Sequence, residues 1–169
     1  MGWMEFPQDA TVLELGCAEA DWQTPMLTLR PDLQITGIDV RKCRRPGTVI
    51  RGDLLEHEFP DRSFDAIVAV SCLEWVGMAH YGDSRDTFGD VRAMSRCARW
   101  LKPSGWMYLD VPYRPTLSHG VSGGKLRGYS PEALHSRLID GHFVEQHRQV
   151  FEPDHRDGPY VALHLTPQV

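Results

Sequence analysis

The stretch TVLELGCAEADW, residues 11–22, decides how the rest of the chain is read. TVLEL has the length and apolar density of a buried strand, and Gly16 follows where a tight turn lets backbone N–H groups face a ligand. Glu14 places an acid beside that turn, and alanines stand at 18 and 20. On its own, a glycine between strand and helix is equally what any such turn uses.

Working outward, strands and helices alternate. Residues 19–29 predict a helix with Pro25 near its first turn, 34–40 a second strand ending at Asp39, and 47–51 a third before Gly52-Asp53. Residues 64–71 form a continuous apolar run of strand length. Residues 85–101 carry Phe88, Val91, Met94, Ala98 and Leu101 at helical spacing, and Lys102-Pro103-Ser104-Gly105 ends that helix. Residues 106–112 make the next strand. Residues 113–129, rich in Gly and Ser, read as a mobile loop. Ser130 caps a helix that has Pro131 at its first position and is stopped by Gly141. Two last strands, near 143–151 and 159–166, are too closely connected to be parallel neighbours. The fold class expected is α/β: one domain over residues 1–169, an open, doubly wound sheet with an antiparallel end.

In such a sheet ligands bind outside the carboxyl ends of the strands. Acids stand at or beside three successive ends: Glu14, Asp39 and Asp53. Asp39 comes 23 positions after Gly16, close to the offset of roughly 20 at which an acid meets a ribose in dinucleotide folds. Singly, Asp39 and Asp53 could be turn caps. Three acids at consecutive ends are harder to explain as surface residues.

The pieces VLELGCAEA (12–20), ITGIDV (35–40), IRGDLLEHEFPDRSFDAIVAVSCLEWVG (50–77) and ARWLKPSGWMYLDVP (98–112) resemble the class I S-adenosylmethionine-dependent methyltransferases. FPDRSFDAIVAV followed by LKPSG is the most specific combination. The resemblance implies a Rossmann-like sheet of strand order 3-2-1-4-5-7-6, with strand 7 antiparallel. It implies S-adenosyl-L-methionine as cofactor, held by Glu14, Gly16, Cys17 and Ala18 around the methionine moiety, Asp39 at the ribose, Val40 beside the adenine, Asp53 and the Leu54 N–H at the adenine edge, and Ser71 and Cys72 near the sulfonium. The chain departs from the family at Ala18 and Ala20, where glycine is usual, which implies reshaped or weaker binding. More narrowly, EWVGMAHYGDSRDTFGD (74–90) resembles methyltransferase-like proteins associated with glycan assembly.

Transfer to a hydroxyl usually needs a base. His80, Glu74 and Tyr81 are the catalytic candidates, with His80 best placed by its ordinary pKa, although a surface loop histidine is the plainer reading. Trp75 stands where the family commonly has histidine. Trp75, Asp83, Tyr113 and His119 are candidate substrate contacts, with Arg114 and Tyr129 beside them. Asp83, Asp86 and Asp90 lack the glycine and glutamate of a calcium loop, so no metal is expected. VSGGKLRG (121–128) lacks the ending of a phosphate loop and reads as a flap.

Hydrophobic residues make up 41% and charged residues 24% of the 169, with a net charge of −5. That balance argues against a nucleic-acid partner. The one basic cluster, RKCRR at 41–45, reads as a solvated turn. Cys17, Cys43, Cys72 and Cys97 form no CxxC pair. No secretory leader or membrane span is read from the sequence, and a cytoplasmic setting is expected. About ten residues precede the first strand, so the pocket is expected to be open unless residues 76–86, residues 113–129 or the second subunit of a homodimer cover it. The leading expectation is methyl transfer to oxygen or nitrogen of a small-molecule or glycan-type acceptor. A non-catalytic cofactor-binding module and a nicotinamide-dependent oxidoreductase are the alternatives.

Overall fold

β1 (Thr11–Leu15) lies at the centre of the sheet, paired in parallel with β2 (Gln34–Asp39) on one side and β4 (Phe64–Ala69) on the other. The computed structural model describes residues 5–18, 21–120, 126–152 and 158–168. β3 (Thr48–Arg51) closes one edge beyond β2. β5 (Leu101–Pro112) follows β4 in parallel. A small antiparallel ribbon, β6 (Ser118–Gly120) and β7 (Leu126–Gly128), stands apart from the sheet. β8 (Phe143–Phe151) and β9 (Tyr160–Pro167) complete the main sheet in the order β3-β2-β1-β4-β5-β9-β8. β9 is antiparallel to both β5 and β8. Counting only main-sheet strands, this is the expected 3-2-1-4-5-7-6 order.

Alternation along each strand divides the core. Val12 of β1 joins Ala66 and Val68 of β4 and Ile35 of β2 on one face, under Trp22. Leu13 and Leu15 join Ile67 and Ala69 on the other face, under Met94, Cys97 and Trp100. Those last three lie on α2 (Gly89–Trp100), which buries them along one side. The period of two also turns Glu14 to the first face, onto α1 (Gln23–Leu29).

Several boundaries differ from the sequence reading, each for a local reason. α1 begins at Gln23, with Pro25 in its first turn. α2 begins at Gly89 because residues 85–88 are folded back. The Asp86 carboxylate accepts from Phe88 N at 2.9 Å, and Asp86 N donates to the Gly77 carbonyl at 2.9 Å. The Lys102–Gly105 turn is absorbed into β5 as an irregularity, the register passing from Phe64↔Leu101 to Ala66↔Trp106. Lys102 Nζ reaches both Asp65 carboxylate oxygens at 2.8 Å across that step.

The segment expected to be a mobile loop, 113–129, instead contains the β6–β7 ribbon; residues 121–125 of the expected flap lie outside the described residues. After it, Ser130 Oγ accepts from Ala133 N at 3.2 Å to open α3 (Pro131–Leu134), which continues as a π-helical turn, His135–Ile139.

Asp90, in the first turn of α2, is fully buried. It accepts from Arg137 at 2.6 and 2.8 Å and from the Tyr129 hydroxyl at 2.9 Å. Arg127, also fully buried, donates to the carbonyls of Val76 and Asp86. This cluster ties β7 and the π-helical turn to the segment after β4. It gives Tyr129 a place in the core. Among the described residues, no helix is long and apolar enough to cross a membrane.

Candidate active site

The carboxyl ends of β1, β2, β3 and β4 converge on one cleft of about 740 Å³, counting its solvent-open mouth. Gly16, Asp39, Val40, Asp53, Leu54, Ser71 and Cys72 line it, with Trp75, Tyr81 and Asp83 on the far wall. Ten of the sequence candidates therefore share one cavity.

The turn after β1 is fixed by its surroundings. Gly16 has φ +73°, and a Cβ built there would stand 2.8 Å from Cys72 Sγ, so conformation and space both require glycine. Its N–H donates to the Ile38 carbonyl at 2.9 Å. Ala18 is not among the residues of positive φ, so alanine fits its backbone without strain. Its N–H donates to Asp39 Oδ2 at 2.9 Å. The expectation for Ala20 lies outside the described residues.

Asp39 is nearly buried, and its carboxylate is occupied. Oδ1 accepts from Arg41 N at 2.8 Å and Nε at 3.0 Å, and Oδ2 from Arg41 Nη2 at 3.1 Å. The same guanidinium lies over the Tyr81 ring, 3.9 Å from its centroid. Arg41 thus joins the end of β2 to the far wall of the cleft. Arg45 donates to the carbonyls of Cys17 and Ala18 at 2.9 and 3.0 Å. Two arginines of the RKCRR run therefore build the site, where the sequence reading left them in solvent. Asp53 Oδ1 accepts from Leu55 N at 2.8 Å, which fixes the turn after β3 and presents the carboxylate at the cleft.

Glu14 lies behind the glycine turn. Its Oε2 accepts from Gln23 Nε2 at 2.6 Å, and its buried Oε1 has no partner. Burial pushes its carboxyl up to about 7, against the lowering effect of the Gln23 bond. Cys17 is buried beside it.

Ser71, at the end of β4, is held at φ +46°, a conformation costly for a residue with a Cβ. Asp110 of β5 maintains it, accepting from Ser71 N at 2.9 Å and Oγ at 3.1 Å, while the Tyr108 hydroxyl donates to its other oxygen at 3.1 Å. Burial raises the Asp110 carboxyl above its ordinary value despite these donors. The sequence reading did not single out Asp110; its position at the carboxyl end of a sheet strand was the available signal.

Of the catalytic candidates, Tyr81 alone lines the cleft. His80 is exposed and stacks on Trp75, ring centroids 4.9 Å apart. Glu74 is buried, its Oε2 without a partner, and desolvation holds its carboxyl well above the usual range. Asp83 accepts from Ala79 N and Tyr81 N, both at 3.1 Å, so it shapes the wall loop. Tyr113 packs against the core, bridged to Tyr129. His119 lies in β6, in register with Arg127. Among the described residues, no group of three His, Cys, Asp or Glu side chains could hold a metal ion.

A mostly parallel sheet with an acid-lined cleft across adjacent strand ends defines a Rossmann-like fold. Residues 3–155 match the methyltransferase domain family, and the chain belongs to it. A probable S-adenosylmethionine-dependent methyltransferase of Mycobacterium tuberculosis is 30% identical over 144 residues, covering 79% of this chain and 48% of that protein. A fatty-acid O-methyltransferase of Mycolicibacterium smegmatis is 27% identical over 145 residues, covering 77% of this chain and 48% of that protein. The chain thus spans about half the length of these relatives. In fold it is similar to the 1,6-didemethyltoxoflavin-N1-methyltransferase of Burkholderia thailandensis, solved with bound 1,6-didemethyltoxoflavin and S-adenosylhomocysteine, with a TM-score of 0.74 and 15% identity over 95% of this chain and 72% of that one.

Proposed function

We propose that this chain binds S-adenosylmethionine in the cleft and transfers its methyl group to oxygen or nitrogen of a small-molecule or glycan-type acceptor. The observation that carries the reading is the placement of Asp39 and Asp53, from consecutive strand ends, on the wall of one cavity with the Gly16 turn. The donor set suits an adenosine: carboxylates accept from ribose hydroxyls and an exocyclic amine, and neither meets the needs of a bare phosphate. When bound, the cofactor supplies a methyl group already activated by its sulfonium.

The chain's own residues then bind, orient and exclude water. Asp39 would hold the ribose hydroxyls once Arg41 gives up its place. Val40 would pack beside the adenine, with Asp53 accepting from its amine and the Leu54 N–H meeting its edge. Gly16, Cys17, Ala18 and Glu14 would sit around the methionine end, and Ser71 and Cys72 would lie near the sulfonium. Trp75, Tyr81 and Asp83 wall the acceptor, with Tyr113 and His119 at the ribbon side. Where the acceptor carries a proton, His80 or Tyr81 would take it, while burial raises the Glu74 carboxyl well above its usual range.

The Mycolicibacterium relative adds a carboxylic acid to the acceptors worth offering, and a second copy of the chain, as a homodimer, is one means of covering the open mouth. The Arg41–Asp39 contact favours one other reading, a module that binds the cofactor without turnover. Calorimetry with S-adenosylhomocysteine, followed by incubation with methyl-labelled S-adenosylmethionine and a panel of fatty acids, amines, phenols and sugars, tests both. Binding with label transfer to one acceptor class supports the enzyme. Binding with no transfer across the panel supports the module. Tighter binding of a nicotinamide dinucleotide overturns both.

A further inference from the structure

Two thiols face one another beside the cleft. Cys17 follows the Gly16 turn and is buried; Cys43 lies in the segment after β2 and is half-buried; their sulfurs are 3.3 Å apart. The residues around Cys43 are those that hold the site: Arg41 clamps Asp39, and Arg45 binds the carbonyls of Cys17 and Ala18. Cys17 packs directly on β2, since a Cβ built on Gly37 would stand 2.8 Å from its sulfur.

Resting on the cofactor reading above, we infer that Cys17 and Cys43 are a disulfide-forming pair, and that the bond holds Arg41 on Asp39 and so weakens cofactor binding. An S–S bond needs about 2.05 Å, so the sulfurs must approach by about 1.2 Å, within reach of a small side-chain rotation. The bond would close the chain between residues 17 and 43, enclosing α1 and β2. Its anchor at Cys43 stands two residues from Arg41, whose N–H already donates to Asp39 Oδ1 at 2.8 Å. Fixing that segment keeps the guanidinium where the ribose hydroxyls must go.

The oxidant is a low-molecular-weight disulfide. The Cys43 thiolate attacks it; one S–S bond breaks, the Cys43–S–S–R bond forms, and R–S⁻ leaves. Cys17 then attacks the Cys43 sulfur, releases its proton to solvent and expels the second R–S⁻. Two protein thiols are oxidised, and the small disulfide is reduced to two thiols. Cys17 is buried and Cys43 half-buried, so Cys43 meets the oxidant first and proximity drives the second step. Linkage requires the converse effect as well: bound cofactor opposes the bond to the extent that the bond opposes the cofactor.

The purified full chain is incubated with oxidised glutathione, quenched, unfolded and alkylated, and its peptides are mapped. The expected result is one cross-link joining the Cys17 and Cys43 peptides, two of the four thiols remaining on Cys72 and Cys97, and reversal by dithiothreitol. Affinity for S-adenosylhomocysteine should fall about tenfold on oxidation, the scale of one hydrogen bond to a charged group, and return on reduction. S-adenosylhomocysteine added beforehand should slow cross-linking. Cys43→Ser should keep the reduced affinity and lose its response to oxidant. Four alkylated thiols after oxidation, or a Cys43–glutathione adduct that never resolves, would overturn the pair. A cross-link with unchanged affinity would overturn the coupling. If the reduced chain binds no S-adenosylhomocysteine, the functional reading fails, while the peptide map still decides whether the bond forms.

Discussion

Arg41→Ala is the perturbation whose sign is least obvious from sequence and best determined by the structure. Removing a cation from a ligand cleft ordinarily weakens binding of an anionic or polar ligand. Here the guanidinium occupies the carboxylate to which the proposed function assigns the ribose, with contacts at 3.0 and 3.1 Å. The Arg41 side chain is 27% exposed and the Asp39 side chain 3%. A partly solvated pair of this kind contributes about 1 kcal/mol, and its contact with Tyr81 need not be lost when the ribose arrives. Ligand binding must displace that contribution in the native chain and not in the variant. S-adenosylhomocysteine should therefore bind Arg41→Ala about fivefold more tightly, the equivalent of about 1 kcal/mol. Asp39→Asn should do the opposite, losing about 1–3 kcal/mol of charge-assisted hydrogen bonding. In the Asp39→Asn background, Arg41→Ala should have little further effect, leaving a coupling energy of about 1 kcal/mol in a double-mutant cycle. Isothermal calorimetry on the four proteins measures all of this. Weaker binding by Arg41→Ala would mean that Arg41 contacts the ligand, and would refute the displacement argument.

Three further outcomes are expected. Glu14 has its carboxyl raised from 4.5 to about 7, so the folded chain retains a proton that the unfolded chain releases across that interval. Its contribution to stability is complete below the lower value and declines as pH rises to the upper one. Relative to the native chain, Glu14→Gln should gain up to about 3 kcal/mol between pH 4.5 and 8 in urea unfolding, and a pH-independent difference would contradict this. Asp90→Ala strands Arg137 in a largely buried position and should cost about 3–5 kcal/mol by the same assay; a loss below 1 kcal/mol would mean the cluster relaxes or hydrates. Gly16→Ala meets both a φ of +73° and the Cys72 sulfur, so it should weaken S-adenosylhomocysteine binding and lower stability. Adding Cys72→Ala should recover the steric part and leave about 1–2 kcal/mol of backbone strain. Full recovery would show that the turn is less fixed than its geometry indicates.

What the sequence revealed about the fold followed from short-range periodicity. A continuous apolar run located β4, shorter apolar-rich stretches located β1 and β2, and the short connection before β9 fixed the antiparallel end. Acids at strand ends located the cleft, because a parallel sheet brings those ends together whatever the loops do. The rest depended on contacts between distant segments. The burial of Asp90 is set by Tyr129 and Arg137, some forty residues away in the chain, and nothing in the helix pattern distinguishes it from an exposed acid. RKCRR has the composition of a solvated turn, yet Arg41 and Arg45 fold back onto β1 and β2. Ser71 and Asp110 are joined across neighbouring strands, a pairing that register alone creates. His80 has the chemistry of a base, but its stacking on Trp75 belongs to three dimensions.

Crystals grown with S-adenosylhomocysteine examine the central claim most directly. The account requires both ribose hydroxyls within hydrogen-bonding distance of Asp39, the guanidinium of Arg41 moved off that carboxylate, the adenine amine at Asp53 and the sulfur facing Ser71. A ligand seated elsewhere, or a ribose that leaves the Arg41–Asp39 contact intact, would contradict it.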